Sequence, residues 1–345
     1  MLDVLVAGGG PVGLAAALEA RRRGLGVVVV EPREAPVDKA CGEGLMPSAV
    51  CALAGLGVEV GGRPFAGIRY LGDGLAVEAR FRAGPGRGVR RTDLHQALHR
   101  RALDAGVEIV RDSVTSVVQA DGHVEAAGLQ ARWLVAADGL HSPVRRLLGL
   151  DRPAVGRPGR AGRPGRYGLR RHYAVAPWTD FVEVHWSPRA EAYVTPVGDR
   201  LVGVAVLGPA GTGFDDALQD FPALRARLRG ALVTGAVRGA GPLRQRAAAV
   251  RSGRVLLVGD AAGYVDALTG EGLSTGLACA QAAVGAVAQG RPEAYPRDWA
   301  RATRRYRLLT HALLAVTSRP QPRRLLLPVA ARVPRGFGLV VDLLA

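Results

Sequence analysis

Lysine is almost absent from this 345-residue chain: of 46 basic residues all but Lys39 are arginine, against 30 acidic ones, giving a net charge of +16. A nucleic-acid reader gathers such charge on one face with stacking aromatics. Here the arginines are scattered and aromatics make up only 5% of the residues, so nucleic acid is not the expected partner. A small phosphorylated ligand or an anionic membrane face suits the positive field equally well. Cysteine is scarce too. Cys41, Cys51 and Cys279 form no CxxC pair, and no His or Cys cluster has metal-ligand spacing, which excludes a disulfide framework and predicts no metal. No apolar run approaches the roughly 20 residues that cross a bilayer. The opening MLDVLVAGGG lacks a basic leader and a cleavage site, so a cytoplasmic location is expected, with membrane association left open.

What the chain has is apolar content, 48%, enough for a large core in one interleaved unit or two domains. Residues 2–7 read as a buried strand, 11–23 as an alanine-rich helix and 27–30 as a second buried strand, together a βαβ unit. Residues 47–56 and 92–105 have helical periodicity, 65–82 alternates like a hairpin, and 107–118 and 124–137 read as strands. Residues 151–166, rich in Pro, Gly and Arg, read as a mobile connection. Strand-like segments fill 167–207, a buried strand at 254–258 enters GDAAGYVDALTGEGLSTG, and helices follow to the end.

Gly8-Gly9-Gly10-Pro11-Val12-Gly13 is a GxGxxG between a strand and a helix, and Glu31 closes the next strand. Gly8 permits the tight turn, Gly10 lets backbone approach a pyrophosphate, Gly13 allows close packing of helix on strand, and the helix start attracts phosphate charge. Glu31 can accept from a ribose diol. The arrangement predicts dinucleotide binding and leaves NAD and FAD undecided.

Two later segments decide it by resemblance. WLVAADGLHSPVRRLLG (133–149) resembles the Asp-Gly motif of flavoprotein monooxygenases, and RVLLVGDAAG (254–263) resembles the Gly-Asp motif shared by those enzymes and geranylgeranyl reductases. KACGEGLMP (39–47) is similar to the Cys-Gly loop of geranylgeranyl reductases and to the GES-containing loop of flavin-dependent halogenases. The resemblance spans nearly the whole chain, with the motifs in family order. It implies an α/β fold: a glutathione-reductase-type, Rossmann-like FAD domain in three parts (1–64, 89–150, 247–292), interleaved with a β-sheet substrate domain (65–88 as a hairpin, then 151–246) and followed by a helical C-terminal segment (293–345). FAD contacts are implied at Gly8, Gly10, Pro11, Val12, Gly13, Glu31, Arg33, Cys41, Gly42, Arg91, Val114, Asp138, Gly139, Asp260, Gly270, Gly272 and Leu273. Asp260 would hold a ribitol hydroxyl, and the turn at Gly270–Leu273 would set a helix start beside the pyrimidine edge of the flavin, where unpaired N–H groups stabilise negative charge. Arg90 is an alternative to Arg91, and Arg145 or Arg146 could serve phosphates unless they are a solvated helix face. Asp138 could equally cap a turn.

The reaction stays between readings. Halogenases need a lysine between flavin and substrate and a Trp-x-Trp-x-x-Pro motif; Lys39 lies elsewhere and His185-Trp186-Ser187-Pro188 does not fit. There is no second GxGxxG after a strand, and the resemblance therefore implies NAD(P)H as a transiently docking reductant, or an external electron donor. Cys41 is a redox or substrate-contacting thiol or a packed one. His172 and His185 are candidate bases or ordinary strand histidines, and Glu43 and Glu271 are proton donors or caps. ADGLHS and RRTDLH favour a monooxygenase (hydroxylase) acting with O₂ on an aromatic, polyketide-like or lipidic small molecule, of the kind made in secondary metabolism. KACGEGL and TGEGL favour a geranylgeranyl-reductase-like C=C reductase. A flavin-binding electron relay is the third reading. The leucine- and arginine-rich tail from 306 covers the active-site domain or lies on a membrane. Oligomeric state is not legible.

Overall fold

Four short runs of branched aliphatic residues build the centre of the molecule, because strands buried on both faces need no polar alternation. In the computed structural model, which describes residues 1–152 and 165–344, Leu2–Ala7 pairs in parallel with Val27–Val30 on one side and Leu129–Ala136 on the other. Glu108–Val110 and Val255–Leu257 extend the parallel set outward. Val4, Leu5, Val29, Leu134, Val135 and Leu256 are fully buried in it.

The helices, in chain order, are α1 Pro11–Arg22, α2 Pro47–Gly55, α3 Arg91–Asp104, α4 Pro143–Leu147, α5 Phe214–Leu218, α6 Pro222–Leu228, α7 Gly272–Ala288, α8 Tyr295–Thr317, α9 Pro320–Arg332 and α10 Pro334–Leu344. α1 packs on both α3 and α7. Small residues permit that approach: a Cβ on Gly276 of α7 would lie 2.5 Å from Val12 of α1.

A second, seven-stranded sheet carries Leu232–Ala240, Arg166–Ala174, Leu201–Pro209, Glu191–Gly198, Phe181–Trp186, Gly67–Gly72 and Leu75–Arg80 side by side. The hairpin at 67–80 is the edge of this sheet, joined in parallel through Phe181–Trp186. Its outer face is covered by α5 and α6 through Phe214, Phe221, Leu224 and Leu228. Its inner face meets the flavin-side loops and, at the hairpin end, α9 and α10. The α/β class with a helical C-terminal part is therefore present.

Two local readings change. Residues 107–118 are not one strand; Glu108–Val110 is followed by irregular chain to 117, because Arg111, Asp112 and Ser113 are exposed and have no sheet to join. Residues 124–137 are two antiparallel strands, His123–Ala126 and Leu129–Ala136, turned by Ala127 and Gly128, both at positive φ. The connection expected at 151–166 lies, from 153 to 164, outside the described residues.

A candidate FAD site at the ends of the parallel strands

Every parallel strand of the first sheet delivers its C-terminal end to one edge, the position where open α/β sheets hold their ligands. Gly8 turns there with φ +101°, and a Cβ on Gly13 would sit 1.8 Å from the Gly8 carbonyl oxygen, so α1 can start this close to its strand only with glycine. α1 opens at Gly10-Pro11 with no side-chain cap, leaving the first-turn amides for an outside acceptor. His95 supports the turn from behind: its Nε2 lies 2.9 Å from the Gly9 carbonyl, and burial pushes its pKa down to about 4, so it is neutral.

Glu31 accepts from the Gly9 N–H at 2.8 Å and from Arg33 at 2.7 Å. Burial pushes its carboxyl up, but the Arg33 guanidinium and the Gly9 amide outweigh it and hold the pKa below the usual range. Arg33 itself is 57% exposed on the rim. Val114 lies in the irregular stretch after Val110, partly buried against the core of the first sheet.

Arg91 is the first residue of α3, and its Nη2 lies 3.9 Å from where a Gly10 Cβ would be. It makes no salt bridge with a carboxylate among the described residues. Burial pushes its pKa down, with Cys41 and Asp260 nearby opposing. A guanidinium at a glycine turn, with uncapped helix amides beside it, is what an elongated diphosphate requires. The residues present therefore fit FAD. Asp260, on a 3₁₀ turn at Gly259–Ala262, faces the same space and pairs with Lys39 at 3.3 Å.

Asp138 accepts from the Val144 N–H at 2.9 Å, and Ser142 accepts from Arg145 N–H, so the Asp-Gly motif caps α4 and Gly139 takes φ +86° to allow it. Arg145 is 1% exposed, not on a solvated face. Its side chain donates to Asp151, Ala261 O, Leu140 O and Gln245. With those donors spent on protein, Arg145 ties down the Asp260 turn and is not free for a phosphate; Arg146 is exposed.

Loop 39–47 crosses from the first sheet to the second and is fixed from both sides. Glu43 adopts φ +60° and is 3% exposed. Its Oε1 accepts from Arg91 N–H at 2.8 Å and its Oε2 lies 2.6 Å from His172 Nε2. His172 Nδ1 faces Arg170 Nη1 at 3.2 Å. A guanidinium can only donate, so Nδ1 accepts and the imidazole proton sits on Nε2, toward Glu43. Arg170 also bonds Asp38, which Arg238 holds at 3.0 Å, and Thr195 donates to Gly42 O at 2.7 Å. Arg170, His172, Tyr193, Thr195 and Val182 share the inner face of the second sheet. Cys41 is solvent-accessible, yet deep enough in the fold that burial pushes its thiol pKa up, with Arg91 opposing and Glu43 reinforcing.

The loop before α7 is pinned likewise. Tyr193 donates to Leu268 O at 3.0 Å and Arg166 bridges Asp266 at 3.2 Å. Gly270 is at φ +71° beside Met46, and Gly272 and Leu273 open α7 without a side-chain cap. Glu271 is 4% exposed and has Arg305 at 4.0 Å; burial pushes its pKa up to about 7. A cavity of about 260 Å³ opens nearby between α7 and α8, touching Asp260, Tyr264, Gly272 and Trp299.

His185 is not part of this arrangement. It points to the outer face, against Phe221, with Nε2 3.0 Å from Glu183. Strand alternation sets the two faces, and the one that looks at the flavin side carries Val182, Val184 and Trp186. Cys279 is buried in α7, as packing. Arg170, Asp38 and Thr195 carried no motif; only the sheet register reveals them. No group of His, Cys, Asp and Glu that could hold a metal occurs among the described residues.

The FAD binding domain family matches residues 1–163. Menaquinone reductase of Mycolicibacterium smegmatis is 32% identical over 332 residues, covering 86% of this chain and 79% of the relative. Digeranylgeranylglycerophospholipid reductase 2 of Methanopyrus kandleri is 27% identical over 306 residues, 81% and 75% of the two chains. The flavin-dependent brominase Bmp2 shares the fold, with TM-score 0.82 at 20% identity over 99% of this chain and 93% of that one. The chain belongs to the FAD-dependent oxidoreductases of the flavoprotein monooxygenase and geranylgeranyl reductase superfamily.

Proposed function

We propose that this enzyme reduces a carbon–carbon double bond in an apolar, prenyl-type substrate, with NAD(P)H as transient reductant. The observation that carries the reading is Cys41: an accessible thiol on the loop between Arg91 and the buried Glu43–His172 pair. FAD, when bound, supplies the hydride for one carbon of the double bond. The other carbon needs a proton, and a thiol whose pKa is raised keeps its proton at neutral pH until a neighbour takes it. Arg91 opposes that shift, and so stabilises the thiolate left behind until solvent returns the proton. Glu43 and His172 position the loop through paired hydrogen bonds rather than meeting substrate, since both Glu43 oxygens are engaged.

Apolar character of the substrate follows from the surroundings. Met46, from the same loop, touches the Gly270 turn and belongs to a cluster with Phe65, Tyr70, Val182 and Val184 that runs to α9 and α10. The relatives named reductases support the choice. Oxygen insertion, which the Asp-Gly motif and RRTDLH favour, is the second reading.

FAD-loaded protein, reduced under argon and mixed with menaquinone or a geranylgeranyl lipid, tests it. A product that keeps two extra hydrogens in its prenyl chain after any quinol has been reoxidised supports reduction of the double bond. No anaerobic product, with an oxygenated product on admitting air, overturns it in favour of hydroxylation.

A further inference from the structure

The C-terminal helices have two apolar faces, and among the described residues only one is covered. Leu327 and Ala330 of α9 and Phe337 and Val341 of α10 pack on Tyr70, Val77 and Trp186 of the sheet. On the opposite side, Leu325 and Val329 of α9 and the following Val333 are 54–58% exposed at helical spacing. In α10, Leu339, Val340 and Leu343 are 54%, 36% and 39% exposed, and α8 adds Leu308 at 66%. Half of the large exposed apolar side chains of the described residues thus fall between 308 and 343.

The charge around them has one sign. From Trp299 to Val341 the chain holds nine arginines and no Asp or Glu. Arg319, Arg332 and Arg335 are exposed beside the apolar positions and form no salt bridge among the described residues. The next acid along the chain, Asp342, is already paired with Arg82 at 3.0 Å, and Glu191 and Glu271 face Arg323 and Arg305 on the inner side. An apolar stripe edged by uncompensated arginine is the pattern of a helix lying in the interface of an anionic bilayer, leucine and valine at the acyl boundary and guanidinium among phosphates. No helix of the described residues is long and apolar enough to cross a membrane, and the pattern is that of a surface contact.

We infer that the outer face of α9 and α10, with Leu308 of α8, docks this enzyme on an anionic lipid surface. A second copy of the chain fits less well, since two such faces would set arginine against arginine. Docking of this kind goes beyond the proposed reaction and does not depend on it: the surface is the same for any substrate.

Sedimentation of FAD-loaded protein with vesicles of phosphatidylcholine alone, or of phosphatidylcholine and phosphatidylglycerol in equal amounts, tests it. Bound flavin absorbance reports that each variant is folded. The wild type should bind the mixed vesicles at least about tenfold more tightly than the neutral ones. The double variant Leu325→Glu, Val329→Glu should lose binding to both. Arg332→Gln with Arg335→Gln should lose about tenfold on the mixed vesicles and little on the neutral ones. Leu103→Glu, at an exposed apolar position on α3, should bind as the wild type does. Absence of binding to mixed vesicles, equal binding by the glutamate double variant, or self-association abolished by it in place of vesicle binding would each overturn the proposal.

Discussion

Glu43 is held where few residues other than glycine rest, with φ +60°, and the strain is offset by two hydrogen bonds to its carboxylate. Its charge also acts on Cys41. Because Glu43 pushes the thiol pKa up, Glu43→Gln should lower it and speed alkylation of Cys41 by iodoacetamide at neutral pH; an unchanged rate would mean the two groups do not feel each other. Glu271 gives a stability prediction. Its folded pKa of about 7 lies above the ordinary carboxylate value of 4.5, so the native state binds the extra proton between those values. The contribution of Glu271 to stability is then fully present below about 4.5 and is lost as pH rises through 7, with Asp266, at about 6, adding to the lower part of the fall. Glu271→Gln should remove roughly 2–3 kcal/mol of that decline. Parallel pH profiles of thermal unfolding for wild type and variant would contradict it. The glycine turn and Glu31 were legible because their spacing is the mechanism, and Asp260 only through the resemblance of its Gly-Asp motif. The tie from Glu43 to His172 was not, since it joins residues 129 apart through sheet register.

Turns and helix starts are the elements that matter for the cofactor. Gly13→Ala would drive a methyl into the Gly8 carbonyl, 1.8 Å away, and should abolish FAD retention, seen as colourless protein. Arg145 separates two roles of the Asp-Gly motif. A buried guanidinium bonded to Asp151 and several carbonyls ties the Asp260 turn to α4, so Arg145→Met should destabilise even the apoprotein by about 3 kcal/mol. A variant with unchanged unfolding and only weaker FAD binding would restore the phosphate role. The helices beginning near 47 and 91 were readable from their periodicity, and the helix start near 272 from the resemblance. The irregular chain at 111–117 was not, because its apolar residues mimic a strand while its neighbours leave it no partner.

At the scale of the molecule, the second sheet does two jobs with its two faces. The outer face closes a core with α5 and α6; the inner face presents Arg170, His172, Tyr193 and Thr195 to the loops at 39–47 and 266–271. Alternation along Phe181–Trp186 sets Phe181, Glu183 and His185 against Val182, Val184 and Trp186, but which set looks inward depends on what packs on the sheet. That is why His172 and His185 were equal from sequence and are unlike in the structure.

Protonation of carbon by a thiol beside reduced flavin is the step on which the proposed reaction stands. It is measured most directly by a single anaerobic turnover in D₂O of FAD-loaded wild type and Cys41→Ser, with a polyprenyl substrate and mass analysis of the product. Saturated product carrying solvent deuterium at the protonated carbon, formed at least about a hundredfold more slowly by Cys41→Ser with its flavin retained, is the predicted result. Equal rates in the two proteins, or no saturated product from the flavin-loaded wild type, would contradict it.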